Sequence, residues 1–176
     1  ELQEKIGKVL KKISYGLEQE GLQYSGILFI GFMIMGGEPK ILEFNVRFGD
    51  PETEVILPRL QSDLLLLMEK ANSHSLCEED FQWSEKICMT VVMTSKGYPH
   101  AYEKHKRITG EISDPTVFVY HNNTVLEDGA AYSDGGRVLS VTTMGDSLSA
   151  CREKIYAHIG EIHFEGATYR KDIGIP

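Results

Sequence analysis

Apolar positions in the first twenty residues recur at spacings of three and four. Leu2, Ile6, Val9, Leu10, Ile13 and Leu17 alternate with charged residues and predict an amphipathic helix, with Gly21 as its stop. Residues 24–35 are almost continuously apolar and predict a buried strand, its Met and Phe side chains in a core. Gly36-Gly37-Glu38-Pro39 reads as a turn, so the stretch that follows is expected to return antiparallel as a hairpin. Alternation in that return strand puts Ile41, Glu43, Asn45 and Arg47 on one face, and Leu42, Phe44, Val46 and Phe48 against a core. Gly49-Asp50-Pro51 breaks the strand.

Helical spacing returns over residues 52–71, through Leu57, Leu60, Leu64, Leu67, Met68 and Ala71. Pro58 sits in an early turn or divides two helical pieces; Ser62 is the expected cap of the second piece, and Asp63 a charge at its terminus. Residues 73–85 are polar and read as a linker. From residue 86 the texture changes to short strands, over 87–93, 107–112, 117–120, 124–126 and 137–144, with turns at Asn122-Asn123 and Asp134-Gly135-Gly136. A helix capped by Asp146 or Ser147 is expected to run to about Ile162, with Leu148, Cys151, Ile155, Ile159 and Ile162 inward. The tail from Phe164 to Pro176 is rich in turn residues. The fold class is therefore α+β: an antiparallel sheet with helices over 1–72, and a small, mixed, β-rich domain over 86–176.

Composition narrows the function. A formal net charge of −8 argues against a general nucleic-acid or membrane-surface partner. The three cysteines, Cys77, Cys88 and Cys151, form no C-x-x-C pair, so a disulfide framework or zinc site is not expected and a reducing, cytoplasmic setting fits. No apolar run approaches the ~20 residues of a spanning helix. The chain opens inside a helical pattern without Met, which reads as part of a longer protein. The scattered histidines match no zinc spacing, no serine stands in a G-x-S-x-G elbow, and no G-x-x-x-x-G-K-[ST] loop is present.

The stretch from Lys40 to Glu54 carries the densest set of reactive side chains. Mg²⁺ takes hard oxygen ligands, usually one or two from protein, with the rest from water and substrate phosphates. Glu43 and Asn45 can supply two such oxygens, and Arg47 can clamp a phosphate or acyl phosphate through paired hydrogen bonds. Taken by spacing alone, the same row also reads as the solvated face of an ordinary strand.

Leu42-Glu43-Phe44-Asn45-Val46-Arg47-Phe48-Gly49-Asp50-Pro51-Glu52-Thr53 resembles the signature of the phosphoribosylamine–glycine ligase family of the ATP-grasp superfamily. The likeness extends to Tyr24–Leu28, Leu60–Leu64, Gly97-Tyr98-Pro99, Gly135–Leu139 and Tyr169–Gly174. Val46 stands where the family often has Cys, and Glu54 where it usually has Gln. The resemblance implies that residues 1–72 are the last part of an ATP-grasp fold and 86–176 the C-terminal domain. It implies that Glu43 and Asn45 bind Mg²⁺ (or Mn²⁺) bridging the ATP phosphates, and that Arg47 balances charge on the transferring phosphoryl group. Asp50, Pro51 and Glu52 would shape the site for glycine and 5-phosphoribosylamine. The Tyr169–Asp172 tail would contact substrate or pin the C-terminus by ion pairing. The family's remaining, N-terminal part is not recognisable here, so this chain alone is expected to be inactive. A non-catalytic interaction module and an ATP-grasp ligase for another carboxylate are the rival readings.

Overall fold

The structure, a computed structural model, describes residues 1–175 and divides them into two compact units. One comprises Glu1–Gly49 with Ser62–Phe81; the other comprises Asp50–Gln61 with the chain from Gln82 onward. The boundaries expected at 72 and 86 are thus displaced. The strand-breaking loop and the turns after it pack with the C-terminal strands, and most of the polar stretch 73–85 belongs to the first unit.

In the first unit, helix α1 (Leu2–Gln19) ends as expected at Gly21, whose φ is +66°. Strands β1 (Phe29–Met35) and β2 (Glu38–Asn45) pair antiparallel as the predicted hairpin, and Lys5 Nζ reaches Gly37 O and Glu38 Oε1 at 3.0 and 2.7 Å. The ribbon is two-stranded, and much of its expected core face is open. Met33, Met35, Leu42 and Phe44 are about half exposed or more, and so is Val46 just past the strand. Two strands alone have too little neighbouring chain to bury either face. After the short helix α2 (Thr53–Ile56), which belongs to the second unit, helix α3 (Leu64–Asn72) returns to the first. Asp63, rather than Ser62, is its cap, accepting from Leu66 N at 3.0 Å. Ser62 Oγ instead donates to Asp80 O at 2.7 Å. Asp80 ion-pairs with Lys70 of α3 and accepts from Cys77 N at 3.0 Å, which pins the 73–81 stretch to the helix.

The second unit is built on a four-stranded antiparallel sheet. Its strands are β3 (Ile87–Ser95), β5 (Val117–His121), β8 (Arg137–Gly145) and β10 (Ala167–Thr168), in the order β10-β3-β8-β5. Strand β4 (Thr109–Gly110) is far shorter than the 107–112 strand expected and pairs with β9 (Ile162–His163). Strands β6 (Thr124–Glu127) and β7 (Ala130–Ser133) form a hairpin of their own, of which only the first strand is predicted from sequence. Helix α4 (Leu148–His158) is capped by Ser147, which accepts from Ala150 N at 3.1 Å. Cys151, Ile155, Ile159 and Ile162 face inward as expected, joining Met89, Val91, Met93, Val117, Leu139, Val141 and Phe164 in one core; Leu148 stays partly exposed. Among the described residues no helix is long and apolar enough to cross a membrane.

The two faces of this sheet differ. Cross-strand pairs Met89↔Thr143, Val91↔Val141 and Met93↔Leu139 lie on the α4 side. The alternate pairs Thr90↔Thr142, Val92↔Ser140 and Thr94↔Arg137 form a face dominated by hydroxyls. The α2 segment lies on this second face: Cys88 Sγ donates to Glu54 O at 3.9 Å, and Glu54, Leu57 and Pro58 share a pocket with Tyr120. Burial there pushes the Cys88 thiol up to about 11, so it is not a nucleophile at neutral pH.

Candidate active site

In the first unit the expected row of Glu43, Asn45 and Arg47 is only partly kept. Gly31 pairs with Glu43 and Phe29 with Asn45, which puts Glu43 and Asn45 on one face. A β-bulge follows: the register steps from Gly31↔Glu43 to Phe32↔Ile41, leaving Leu42 as the extra residue. The shift turns Ile41 onto the face opposite Glu43, contrary to the alternation expected from sequence, and brings Lys40, opposite Met33, onto the Glu43 face. The bulge thereby keeps the apolar Phe32, Ile34, Ile41 and Phe44 together and leaves Lys40, Glu43 and Asn45 on the polar side. Strand β2 ends at Asn45, so Arg47 is not part of the row. It lies in the bend after the strand, with Nη1 donating to Phe48 O at 2.7 Å.

Gly31 shapes this site. A Cβ placed there would stand 3.2 Å from Glu43 Cγ, so the Glu43 side chain lies over the space its cross-strand neighbour leaves free. Among the described residues, neither the Glu43 nor the Asn45 side chain has a hydrogen-bond or ion-pair partner. Two accessible oxygens on adjacent same-face positions suit a cation whose remaining ligands come from phosphates and water.

In the second unit, Asp50 is held by Arg137, 87 residues further along the chain. Arg137 Nη1 donates to Asp50 O at 3.0 Å, and its Nη2 stands 3.2 Å from Asp50 Oδ2. The other carboxylate oxygen, Asp50 Oδ1, is covered yet accepts no hydrogen bond. Such an orphan costs on the order of 1–3 kcal/mol. Glu54 Oε2 is likewise covered and unpartnered. Burial, aided by the neighbouring Asp50 and Glu52 carboxylates, raises the Glu54 carboxyl above its ordinary value, against the pull of Arg137. Glu52 caps the short helix α2 through its backbone, and Pro51 follows a cis Asp50–Pro51 peptide.

Beside Pro51, the hydroxyl face opens into a cavity of about 680 Å³. Its polar walls come from Thr90, Thr94, Tyr98, Arg137, Thr168 and Arg170. Thr142 Oγ1 donates to Thr90 Oγ1 at 2.7 Å, and the Thr94 and Thr168 hydroxyls lie 2.9 Å apart. Gly136 lets the Tyr98 ring settle against the turn before β8, since a Cβ there would collide with the ring at Tyr98 Cδ2. Arg170 makes the local ion pair expected of the tail, its Nε donating to Asp172 Oδ1 at 2.9 Å. The signal for this face was present in the sequence as the alternation of Met89, Val91 and Met93 with Thr90, Val92 and Thr94.

Comparisons with known proteins cover nearly the whole chain. A family model described as phosphoribosylglycinamide synthetase, C domain, matches residues 88–176. One described as phosphoribosylglycinamide synthetase, ATP-grasp (A) domain, matches residues 1–53. The phosphoribosylamine–glycine ligase of Caldanaerobacter subterraneus subsp. tengcongensis is 43% identical over 166 residues, spanning 94% of this chain and 40% of the relative. The human trifunctional purine biosynthetic protein adenosine-3 is 44% identical over 169 residues, 94% of this chain and 17% of the relative. The crystal structure of the Thermotoga maritima phosphoribosylamine–glycine ligase matches with a TM-score of 0.82 at 35% identity, over 96% of this chain and 42% of that one. The biotin carboxylase domain of Hydrogenobacter thermophilus 2-oxoglutarate carboxylase, solved with MgADP, shares the fold at a TM-score of 0.62 and 10% identity. The chain spans about two fifths of the length of the ligase relatives. With its C-domain match covering residues 88–176, the chain belongs to the phosphoribosylglycinamide synthetase family, on an ATP-grasp α+β fold.

Proposed function

We propose that this chain forms part of a phosphoribosylamine–glycine ligase, which joins glycine to 5-phosphoribosylamine at the expense of ATP. The observation that carries the reading is the family match together with Glu43 and Asn45 on one face of the β1–β2 ribbon. A glycine carboxylate oxygen attacks the γ-phosphorus of ATP, ADP leaves, and glycyl phosphate forms. The amine nitrogen of phosphoribosylamine then attacks the acyl carbon; phosphate departs, the nitrogen loses a proton, and the amide of glycinamide ribonucleotide remains. Glu43 and Asn45 hold Mg²⁺ or Mn²⁺. When bound, the ion neutralises charge on the nucleotide phosphates. Arg47 swings from Phe48 O to offset charge on the transferring phosphoryl group, a reorientation its exposed position allows. Asp50, Pro51 and Glu52 shape the site for the two smaller substrates.

The reading is tested on the complete protein that contains these residues. Glycinamide ribonucleotide, ADP and phosphate should appear in equal amounts from ATP, glycine and phosphoribosylamine. Product only with another amine or carboxylate would assign a different ATP-grasp ligase. No ATP turnover with any such pair would leave an interaction module.

A further inference from the structure

Strand β10 gives the sheet only two residues, Ala167 opposite Ser95 and Thr168 opposite Thr94. Beyond Thr168 the chain leaves the sheet and forms no helix. Among the described residues, this tail makes one backbone–backbone hydrogen bond of its own, from Ile175 N to Asp172 O at 3.2 Å. A segment with so few main-chain bonds takes its path from the side chains that reach it. Two such side chains come from α4. Tyr156 Oη donates to Arg170 O at 2.6 Å. Burial raises that hydroxyl above its ordinary value, against the pull of the Ile173 N–H, which also faces it. Arg152, one turn earlier on α4, donates from Nη2 to Lys171 O at 2.7 Å, and its guanidinium lies over the Tyr156 ring at 4.8 Å. The Tyr156 and Tyr169 rings stand 6.3 Å apart.

Both bonds end on main-chain carbonyls of consecutive residues, so they fix where the tail runs. The tail in turn supplies Tyr169, Arg170 and Ile173 to the wall of the cavity that Pro51 also lines. We infer that Arg152 and Tyr156 are positioning residues for the ligation: together they latch the Tyr169–Ile173 segment in place opposite Pro51, and so set the width of the space beside the Asp50–Glu52 loop. The inference rests on the proposed function for the role of that loop, but the latch itself lies wholly within the second unit. Arg152 and Tyr156 are not on the cavity wall and act through the tail. Arg152 Nε is covered and unpartnered, so this placement of the guanidinium does not maximise its own hydrogen bonding. Tyr169 and Ile173 also pack against the core of the sheet, so a tail without the latch stays docked while its carbonyls are free to shift.

The test compares the complete protein with Tyr156→Phe, which removes the hydroxyl and keeps the ring, and with Arg152→Met, which keeps an apolar stem over the ring and removes the donors. Hydrogen–deuterium exchange should quicken in the Tyr169–Ile173 segment of both variants, most at the Ile173 amide, and stay as it was in β3 and β8. The KM for glycine, for phosphoribosylamine or for both should rise about three- to tenfold, the loss of one hydrogen bond, while kcat and the KM for ATP hold. The double variant should lose less than the product of the two single losses, because both side chains hold one segment. Arg152→Lys, which keeps a cationic donor for Lys171 O, should recover part of the loss. In a wild-type protein that ligates, a lower melting temperature with unchanged KM values would make the two residues merely structural and overturn the inference. Unchanged exchange in the tail of both variants would overturn it as well. If the wild-type protein makes no glycinamide ribonucleotide, quickened tail exchange in the variants keeps the latch and discards the ligase reading.

Discussion

Strands β1 and β3 have much in common as sequences, Phe29–Met35 reading FIGFMIM and Ile87–Ser95 reading ICMTVVMTS. Their fates are opposite. Met89, Val91 and Met93 are buried under α4, whereas Met33, Ile34 and Met35 remain exposed on the ribbon. The difference is one of neighbours. β3 has β8 on one side, β10 on the other and α4 across one face; among the described residues β1 has β2 alone as a strand partner. Apolar character drives burial only where the rest of the chain supplies a surface to bury against. The open ribbon carries the candidate metal ligands, and the closed sheet forms one wall of the cavity beside Pro51.

Substitutions in the two regions should separate function from stability. The largest effect is expected from Glu43→Ala in the complete protein, where loss of a metal ligand should slow ligation by about a hundredfold or more while the melting temperature holds. Near-normal turnover at limiting Mg²⁺ would remove Glu43 from its role. In the sheet, Ile155→Ala should destabilise this chain by about 2–5 kcal/mol in denaturant unfolding, because a fully buried side chain leaves a cavity. On the ribbon, Phe44→Ala should cost within about 0.5 kcal/mol, since half of Phe44 already meets water. Equal costs at the two positions would break the comparison.

A smaller, pH-dependent effect is expected at Asp80. Its hydrogen bond from Lys70, with help from Cys77 N–H, holds the carboxyl down at about 2. The folded value lies below the unfolded one, so the stabilisation is present above the ordinary carboxylate range and disappears as pH falls through about 4 toward 2. Asp80→Asn should lower the melting temperature at neutral pH and flatten that acid limb. Glu54 works in the other direction. Its carboxyl is raised by burial, so charging it as pH rises weakens the folded state. Glu54→Gln should raise the melting temperature at neutral pH by on the order of a degree or two, with the gain fading in acid. An increase that persists below the carboxylate range would mean that charge is not its cause.

Much of the fold was legible. The α1 pattern, the hairpin turn, the Ser147 cap and the inward stripe of α4 all follow from local periodicity and capping chemistry. Glu43 and Asn45 were legible as a same-face pair because a two-residue interval survives any regular strand. Arg47 was misplaced because nothing local marks the end of β2 at Asn45, and Ile41 because one inserted residue reverses the phase of everything before it. The Arg137–Asp50 pair joins residues 87 positions apart, a separation at which no periodicity carries information.

The amino-acid sequence by itself determined most of the element types, the Glu43–Asn45 pair on one side of the ribbon and the family, since these depend on short-range spacing and on the residues of the signature stretch. Only the tertiary structure decided that residues 50–61 belong with the C-terminal sheet, that the second face of that sheet carries hydroxyls around a cavity, and that Asp50 keeps one oxygen unpaired. Those outcomes depend on which distant surfaces meet, because burial and pairing energies are set by the partners a side chain finds and not by its place in the chain.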